Sequence, residues 1–295
     1  MKTCIIANPN AGTADLMAQL KDRLEQMPET SLAFTEKEGD GRELARRAVA
    51  EGAETIVAAG GDGTLNEVLN GMAEGFGRVR LGLLPLGTGN DFARSIGVPA
   101  EPDAALALLA DGRTRRLDVG RATFGGRCRY FLNMAVGGFS PLVSEKADEA
   151  KDRWGPLAYL RGAIGALPEL SGFKADLLLN DAERLEIETY NLVISNGRFV
   201  ASGIPVAPQS LLDDGLLDVM IAPISTIPQL AMLVPQVLLG RHLESDLLLF
   251  RKVTRLEVRS DPPMTFNVDG EIVGDEPALF EVMPLALEMV VGAMD

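Results

Sequence analysis

Three short loops hold most of the residues in this chain whose types and spacing could do chemistry: Asn8-Pro9-Asn10-Ala11-Gly12, Gly60-Gly61-Asp62-Gly63-Thr64 and Leu86-Gly87-Thr88-Gly89-Asn90-Asp91. Each follows a short apolar run and leads toward a helical pattern. Glycine lets the backbone approach a ligand closely, and the bare N–H groups at a helix start attract phosphate. Asp62 stands between glycines in the second loop. An acid there repels phosphate unless a cation joins it, and Mg²⁺ bridging carboxylate and phosphate resolves the conflict. A plainer reading makes Asp62 a turn residue, and Thr64 with Glu67 three positions on also spells a helix capping box. The chemistry these loops suit is the handling of a polyphosphate.

A fourth candidate is Asp269-Gly270-Glu271, which follows the apolar run Thr265 to Val268. Two carboxylates two residues apart on an extended backbone share one side of the strand. Such a pair beside a phosphate site suits base catalysis together with organisation of a metal. A hairpin turn accounts for the same three residues. Other chemistries lack their residues. There is no G-x-x-x-x-G-K-[ST] loop, no third glycine after Gly87 and Gly89, and no G-x-S-x-G elbow. The single histidine, His242, follows an apolar helical stretch and Gly240-Arg241, which predicts an exposed helix-end residue. Cys4 and Cys128 are too few for a disulfide framework or a four-sulfur zinc site, and their apolar, strand-like surroundings predict buried thiols.

Positioning these loops calls for particular elements. Strands are expected at Thr3 to Ala7, Ser31 to Thr35, Thr55 to Ala59 and Leu81 to Leu84. Helices are expected from the first loop to about Met27, over Arg42 to Ala50, and over Thr64 to Met72, where Leu65, Val68, Leu69 and Met72 share a face. Alternating short apolar strands and helices predict a mostly parallel sheet covered on both faces, whose strand ends are where ligands bind. Beyond Asp118 the strand-like pieces crowd together: Arg127 to Ala135, Lys174 to Leu179, Glu186 to Ser195, Leu217 to Ile221, Val253 to Arg259 and Thr265 to Val268. Turn signals at Asn180-Asp181 and Asp214-Gly215 separate some of them. The reading is an α/β fold of two domains. A Rossmann-like α/β domain spans 1–125 and a β-rich domain spans 126–295, with the C-terminal tail expected to return to the first. Two apolar helical stretches, Gly155 to Leu170 and Thr226 to Gly240, interrupt the second domain.

The bulk properties narrow the partners. With 46% hydrophobic and 24% charged residues the chain reads as globular. A net charge of −14 argues against nucleic acid and against an anchor built of Lys and Arg. Neither a signal peptide nor an apolar run of spanning length is expected, so cytoplasmic location is the default. Any membrane contact would be transient, peripheral and apolar. The two helical stretches and Trp154 are its candidates, with core packing as the alternative.

Taken together, NPNAG (8–12), GGDGTLNEV (60–68), LGTGNDFAR (86–94), LDVGR (117–121), FLNMAVGGF (131–139), DDGLLDV (213–219) and FNVDGE (266–271) resemble the diacylglycerol-kinase catalytic family, most nearly its bacterial YegS-type lipid kinases. GGDGT alone is shared with NAD kinases and phosphofructokinases; its combination with GTxNDFA and DGE is specific. The resemblance implies an ATP-binding α/β domain and a C-terminal β-sandwich domain with the active site in the cleft between them. It implies that Gly60, Gly61, Asp62, Gly63, Thr64, Leu65 and Asn66 hold the ATP phosphates, and that Asn8, Asn10, Thr35 and Thr88 contact nucleotide. Asp62, Asp91 and Asp118 match acidic positions tied to phosphate and Mg²⁺. Glu271 matches the proton acceptor, with Asp269 beside it and the choice between them open. A structural Mg²⁺ site falls on Asp214 with the carbonyls of Leu211 and Leu216, and Asp213 is an added acid there. The activity so implied is Mg²⁺-dependent transfer of the ATP γ-phosphate to a lipid hydroxyl. Two other readings stand beside it: phosphorylation of a soluble acceptor such as NAD, or a nucleotide-binding regulator without transfer. Neither the lipid nor the oligomeric state is set by the sequence.

Overall fold

The computed structural model describes residues 2–11, 29–111, 113–138, 172–223, 227–274 and 277–293. Gly12 and the helical pattern running to Met27, Trp154, the 155–170 stretch and Thr226 lie outside the described residues. The chain divides into two compact units, Met1–Val119 with Pro284–Asp295, and Gly120–Met283.

The first unit is built on four parallel strands, β1 (Thr3–Ala7), β2 (Thr30–Phe34), β3 (Thr55–Gly60) and β4 (Arg80–Pro85), in spatial order β4-β3-β1-β2. β3 is buried along its whole length, as a central strand covered on both faces must be. Register places Ala7 beside Phe34 and Ala59, and Ala59 beside Leu84. The C-terminal ends of β1, β3 and β4 therefore finish side by side, and the three glycine-bearing loops leave from one edge. α1 (Asp40–Ala50) precedes β3, and α2 (Asp62–Gly71) follows it. Leu65, Val68, Leu69 and Met72 are buried, as their spacing predicts. The short α3 (Asp91–Ser95) follows the third loop, and α4 (Pro102–Asp111) follows α3.

Among the strands that escape the sequence reading, two are long. β5 (Thr114–Phe124) opens with Thr-Arg-Arg, which hides an apolar interior, and β15 (Ala278–Val290) contains Pro284, which breaks a strand pattern. At that break Leu285 takes a positive φ of 50°, and its N–H donates to Asp118 Oδ1 at 2.7 Å. Farther on, Met289 pairs in parallel with Leu81 of β4.

The second unit contains β6 (Arg127–Phe131), β7 (Met134–Gly138), β8 (Phe173–Leu179), β9 (Glu183–Ser195), β10 (Leu217–Pro223), β11 (Leu249–Val253), β12 (Arg255–Asp261), β13 (Phe266–Val268) and β14 (Glu271–Val273). Two expected strands cross a break in the structure. Arg127 to Ala135 is broken by a turn at Leu132-Asn133, and Val253 to Arg259 is broken at Thr254. β9 serves two sheets. Its first half, through Thr189, pairs antiparallel with β8, and its second half pairs with β7 and β10. One layer thus runs β14-β13-β7-β9-β10-β11 and the other β6-β5-β15-β12-β8-β9. Phe266 from the first layer meets Phe124 and Phe280 from the second, with ring centroids 5.7 Å and 5.0 Å away. This aromatic trio lies in a continuous core with Phe131, Leu177, Ile194, Val219 and Leu256, the packing of a β-sandwich.

α5 (Ile227–Leu238) is the apolar helix expected near 226–240. His242, expected at the surface, is 0% exposed. Its Nε2 lies 2.7 Å from the Val206 carbonyl, and its ring faces Phe250. Cys128 corrects the expectation in the other direction: it is exposed, on the outward face of β6, and Cys4 is only half-buried.

Candidate functional site

In the first unit the three loops are tied into one cradle. The Asn8 N–H donates to Ala59 O at 3.0 Å, and the Leu86 N–H to Gly60 O at 2.9 Å. Asn8 Oδ1 then accepts the Asn10 N–H at 2.9 Å and closes the first turn. Between the second and third loops the backbones touch. A Cβ at Gly87 would stand 2.5 Å from the Cα of Gly61, so Gly87 admits no side chain unless the loops part, while a Cβ at Gly61 would sit a tight 3.3 Å from Gly87. Asp62 locks this contact: its two oxygens accept the N–H groups of Asp91 at 3.1 Å and Phe92 at 3.2 Å. Thr35, at the end of β2, is buried and donates its N–H to Ala7 O. Thr88 is exposed at the tip of the third loop, beside a hollow of about 420 Å³ lined by Leu86 to Asn90, Arg94 and Val98.

The capping-box reading of Thr64 and Glu67 does not hold. The helix cap is Gly61, and Thr64 lies within α2, packed so closely under Gly60 that a Cβ there would fall 2.3 Å from the Thr64 Oγ1. Glu67 instead serves another helix. Its carboxylate accepts the N–H groups of Gly39 and Gly41, each at 2.8 Å, at the start of α1. Leu65 and Asn66 are buried in the first turn of α2, and Asn66 accepts from the Asn70 amide. What remains open toward solvent at the start of α2 is Gly63, with nothing within 4 Å of the place a Cβ would take. A glycine cradle at the positive end of a ten-residue helix fits a polyphosphate.

A cation fits at Asp62. Among the described residues both of its donors are neutral backbone groups, which leave its charge without a cationic partner there, and each oxygen retains a lone pair. Mg²⁺ on a nucleotide takes most of its ligands from phosphate and water and needs only one or two carboxylates. That requirement is compatible with the finding that, among the described residues, no group of three or more His, Cys, Asp or Glu is arranged to hold a metal. Asp91 is buried at the head of α3, and Asp118 is fully buried where it holds the bend of β15.

In the second unit the carboxylate pair separates. The turn Asp269-Gly270 has φ values of 46° and 97°, the two left-handed residues of a tight hairpin joining β13 to β14. The backbone is therefore not extended at Asp269, and the two acids do not share a face as expected. Asp269 turns inward. Its oxygens accept the N–H groups of Leu132 at 2.8 Å, Asn133 at 3.1 Å and Met134 at 2.8 Å, which form the turn between β6 and β7. Asn196 braces the same turn from the other side, donating its side-chain amide to Leu132 O and its N–H to Asn133 O. Glu271 is one-third exposed and pairs with Arg129 at 3.0 Å. Arg129 could not be found from sequence, because 142 positions separate it from Glu271.

The third expected site does not fit a divalent ion. Asp214 Oδ1 accepts the Leu216 N–H at 3.1 Å, and Oδ2 meets the Lys252 ammonium at 2.8 Å. Leu211 and Leu216 flank this turn, but the Lys252 ammonium already occupies the second oxygen of Asp214 and reaches Asp218 as well. A unit charge repels another about 4 Å away by about 4 kcal/mol at an effective dielectric near 20, and a divalent ion roughly doubles that. Lys252 went unread because strand pairing, not spacing, delivers it.

Comparison with known proteins agrees with this architecture. A family model described as the diacylglycerol kinase catalytic domain matches residues 2–122. A second, described as the YegS C-terminal NAD kinase beta sandwich-like domain, matches residues 133–291. The chain belongs to the diacylglycerol-kinase catalytic family. A Pseudomonas aeruginosa protein named "Probable lipid kinase YegS-like" is 36% identical over 97% of this chain and 92% of its own length. A Staphylococcus aureus diacylglycerol kinase is 33% identical over 94% and 88%. Within the family the chain sits with the YegS-like lipid kinases. The crystal structure of a Bacillus anthracis diacylglycerol kinase shares the fold, with a TM-score of 0.76 at 23% identity over 99% of this chain and 97% of that one.

Proposed function

We propose that this protein transfers the γ-phosphate of ATP to a hydroxyl group of a lipid such as diacylglycerol or phosphatidylglycerol, with Mg²⁺. The observation that carries the reading is the Asp62 clamp, which joins two glycine loops at neighbouring strand ends into one phosphate cradle. Asn8, Asn10, Thr35, Thr88 and the start of α2 bind and orient the nucleotide in this reading, and Asp62 seats the cation. Mg²⁺ supplies neutralisation of the charge on the phosphoryl group. Glu271 accepts the proton of the attacking hydroxyl, oriented by Arg129. Asp269, with both oxygens engaged by backbone N–H groups, holds the hairpin that presents Glu271.

Exposed apolar side chains in the same unit support a lipid acceptor. Ile272, next to Glu271, is 68% exposed, as are Met232 (66%) and Leu239 (67%), which fall with the exposed Pro235 on one side of α5 and its end. In our reading α5 rests transiently on the membrane that presents the substrate. Among the described residues no helix is long and apolar enough to cross a membrane.

The test is incubation with labelled ATP, Mg²⁺ and, in separate arms, a total lipid extract, defined glycerolipids and NAD. Label should appear in a lipid, and Asp62→Asn should reduce it by orders of magnitude while the protein stays folded. Label in NAD would assign a soluble acceptor instead. ATP binding with transfer to none of these would leave a nucleotide-binding regulator.

A further inference from the structure

The turn from Asp213 to Asp218 brings three acids close together in sequence, and in a fold such a turn needs a cation. Strand register supplies one. β10 and β11 are antiparallel with Asp218 directly opposite Lys252. From that position the ammonium reaches Asp214 Oδ2 at 2.8 Å and Asp218 Oδ2 at 3.4 Å. Both carboxylates are mostly buried, with side-chain exposures of 19% and 9%, so their charge is poorly screened by water. Asp214 Oδ1 closes the turn through the Leu216 N–H, and Gly215 takes the positive φ of 71° that this requires.

We infer that Lys252 is the resident cation of this turn, and that in this chain its ammonium stands where the family resemblance would put a structural Mg²⁺. The geometry has the elements of a metal seat: a mostly buried carboxylate, a second acid beside it, and a glycine turn wrapped around the first. The difference is that the positive charge is covalently attached and arrives through cross-strand pairing. The second unit therefore holds this turn without taking up a divalent ion. The inference does not rest on the proposed activity, because it concerns the protein without nucleotide.

Thermal melting of the full chain without nucleotide tests it, in chelator and in millimolar Mg²⁺. The wild-type protein should melt at the same temperature in both. Lys252→Met should melt lower in chelator, by about 2–4 °C if roughly 1 kcal/mol is lost, and Mg²⁺ or Ca²⁺ should restore it. Lys252→Arg should behave as wild type. Asp214→Asn combined with Lys252→Met should fold and show no response to the ion, which keeps the test valid if the single variant is poorly folded. Three results would overturn the inference. One is a wild-type protein that melts lower in chelator with the difference abolished by Asp214→Asn, since a metal would then sit beside the lysine. Another is a Lys252→Met protein that melts as wild type under both conditions. The third is a lowered melting temperature that no divalent ion restores, which reduces Lys252 to an ordinary ion pair.

Discussion

Replacing Asp269 by Asn and Glu271 by Gln, two isosteric changes two residues apart, should produce opposite phenotypes. Asp269 accepts three backbone N–H groups from the turn between β6 and β7. The amide keeps one acceptor oxygen and points an NH₂ at a former donor. At least one charge-assisted bond is lost, worth about 1.5–3 kcal/mol, and a buried N–H left unsatisfied costs about 1–3 kcal/mol more. A net loss near 3–5 kcal/mol corresponds to a melting temperature lower by about 6–20 °C for a unit of this size. Glu271→Gln breaks a one-third-exposed ion pair with Arg129, worth about 0–1 kcal/mol, and leaves the fold nearly as stable. It removes the proposed base, for which a loss of roughly 10²–10⁴ in kcat is expected. Differential scanning fluorimetry and single-turnover transfer from labelled ATP, run well below the lower melting point, separate the two effects. The assignment of roles fails if Glu271→Gln turns over normally while a still-folded Asp269→Asn is inactive. It also fails if Asp269→Asn melts like the wild-type protein.

Three further outcomes follow from the same geometry. Gly87→Ala sets a Cβ 2.5 Å from the Gly61 Cα, so the second and third loops must part, and ATP binding by calorimetry should weaken by roughly tenfold or more. Burial pushes the His242 pKa below its ordinary 6.5, against the weaker opposing effect of its hydrogen bond to Val206. Because the unfolded chain then takes up the proton first, stability should hold above the unfolded value and fall as pH drops from about 7 toward 5.5, and His242→Gln should flatten that slope in a melting series. Charging the exposed side of α5 with Met232→Glu and Leu239→Glu should lower activity on phospholipid vesicles by roughly tenfold while sparing the melting temperature; unfolding of the variant would mark that side as core.

Local reading succeeded wherever neighbours in the chain carry the information. β1, β3, α2 and the glycine loops are specified by apolar period and by residues that only a close backbone approach requires. It failed where the deciding contact is remote. Asp269 and Glu271 look equivalent in the sequence, but a left-handed turn directs one to the Leu132–Met134 amides and leaves the other with Arg129. Glu67 spells a capping box with Thr64 and instead caps α1 from 26 residues away. His242 carries the local context of an exposed residue, and packing against Phe250 and Val206 buries it.

By itself, then, the amino-acid order determined which groups are available to the proposed chemistry: glycine turns at strand ends, an acid between two glycines, and a carboxylate pair after Val268. Those follow from side-chain type and short spacing, which act over a few ångströms of chain. The tertiary structure decided which partners each carboxylate meets. A carboxylate's work depends on whether its lone pairs meet backbone N–H groups, an ammonium or open surface. For Asp62, Asp269 and Asp214 those partners come from distant parts of the chain: the start of α3, the turn between β6 and β7, and β11.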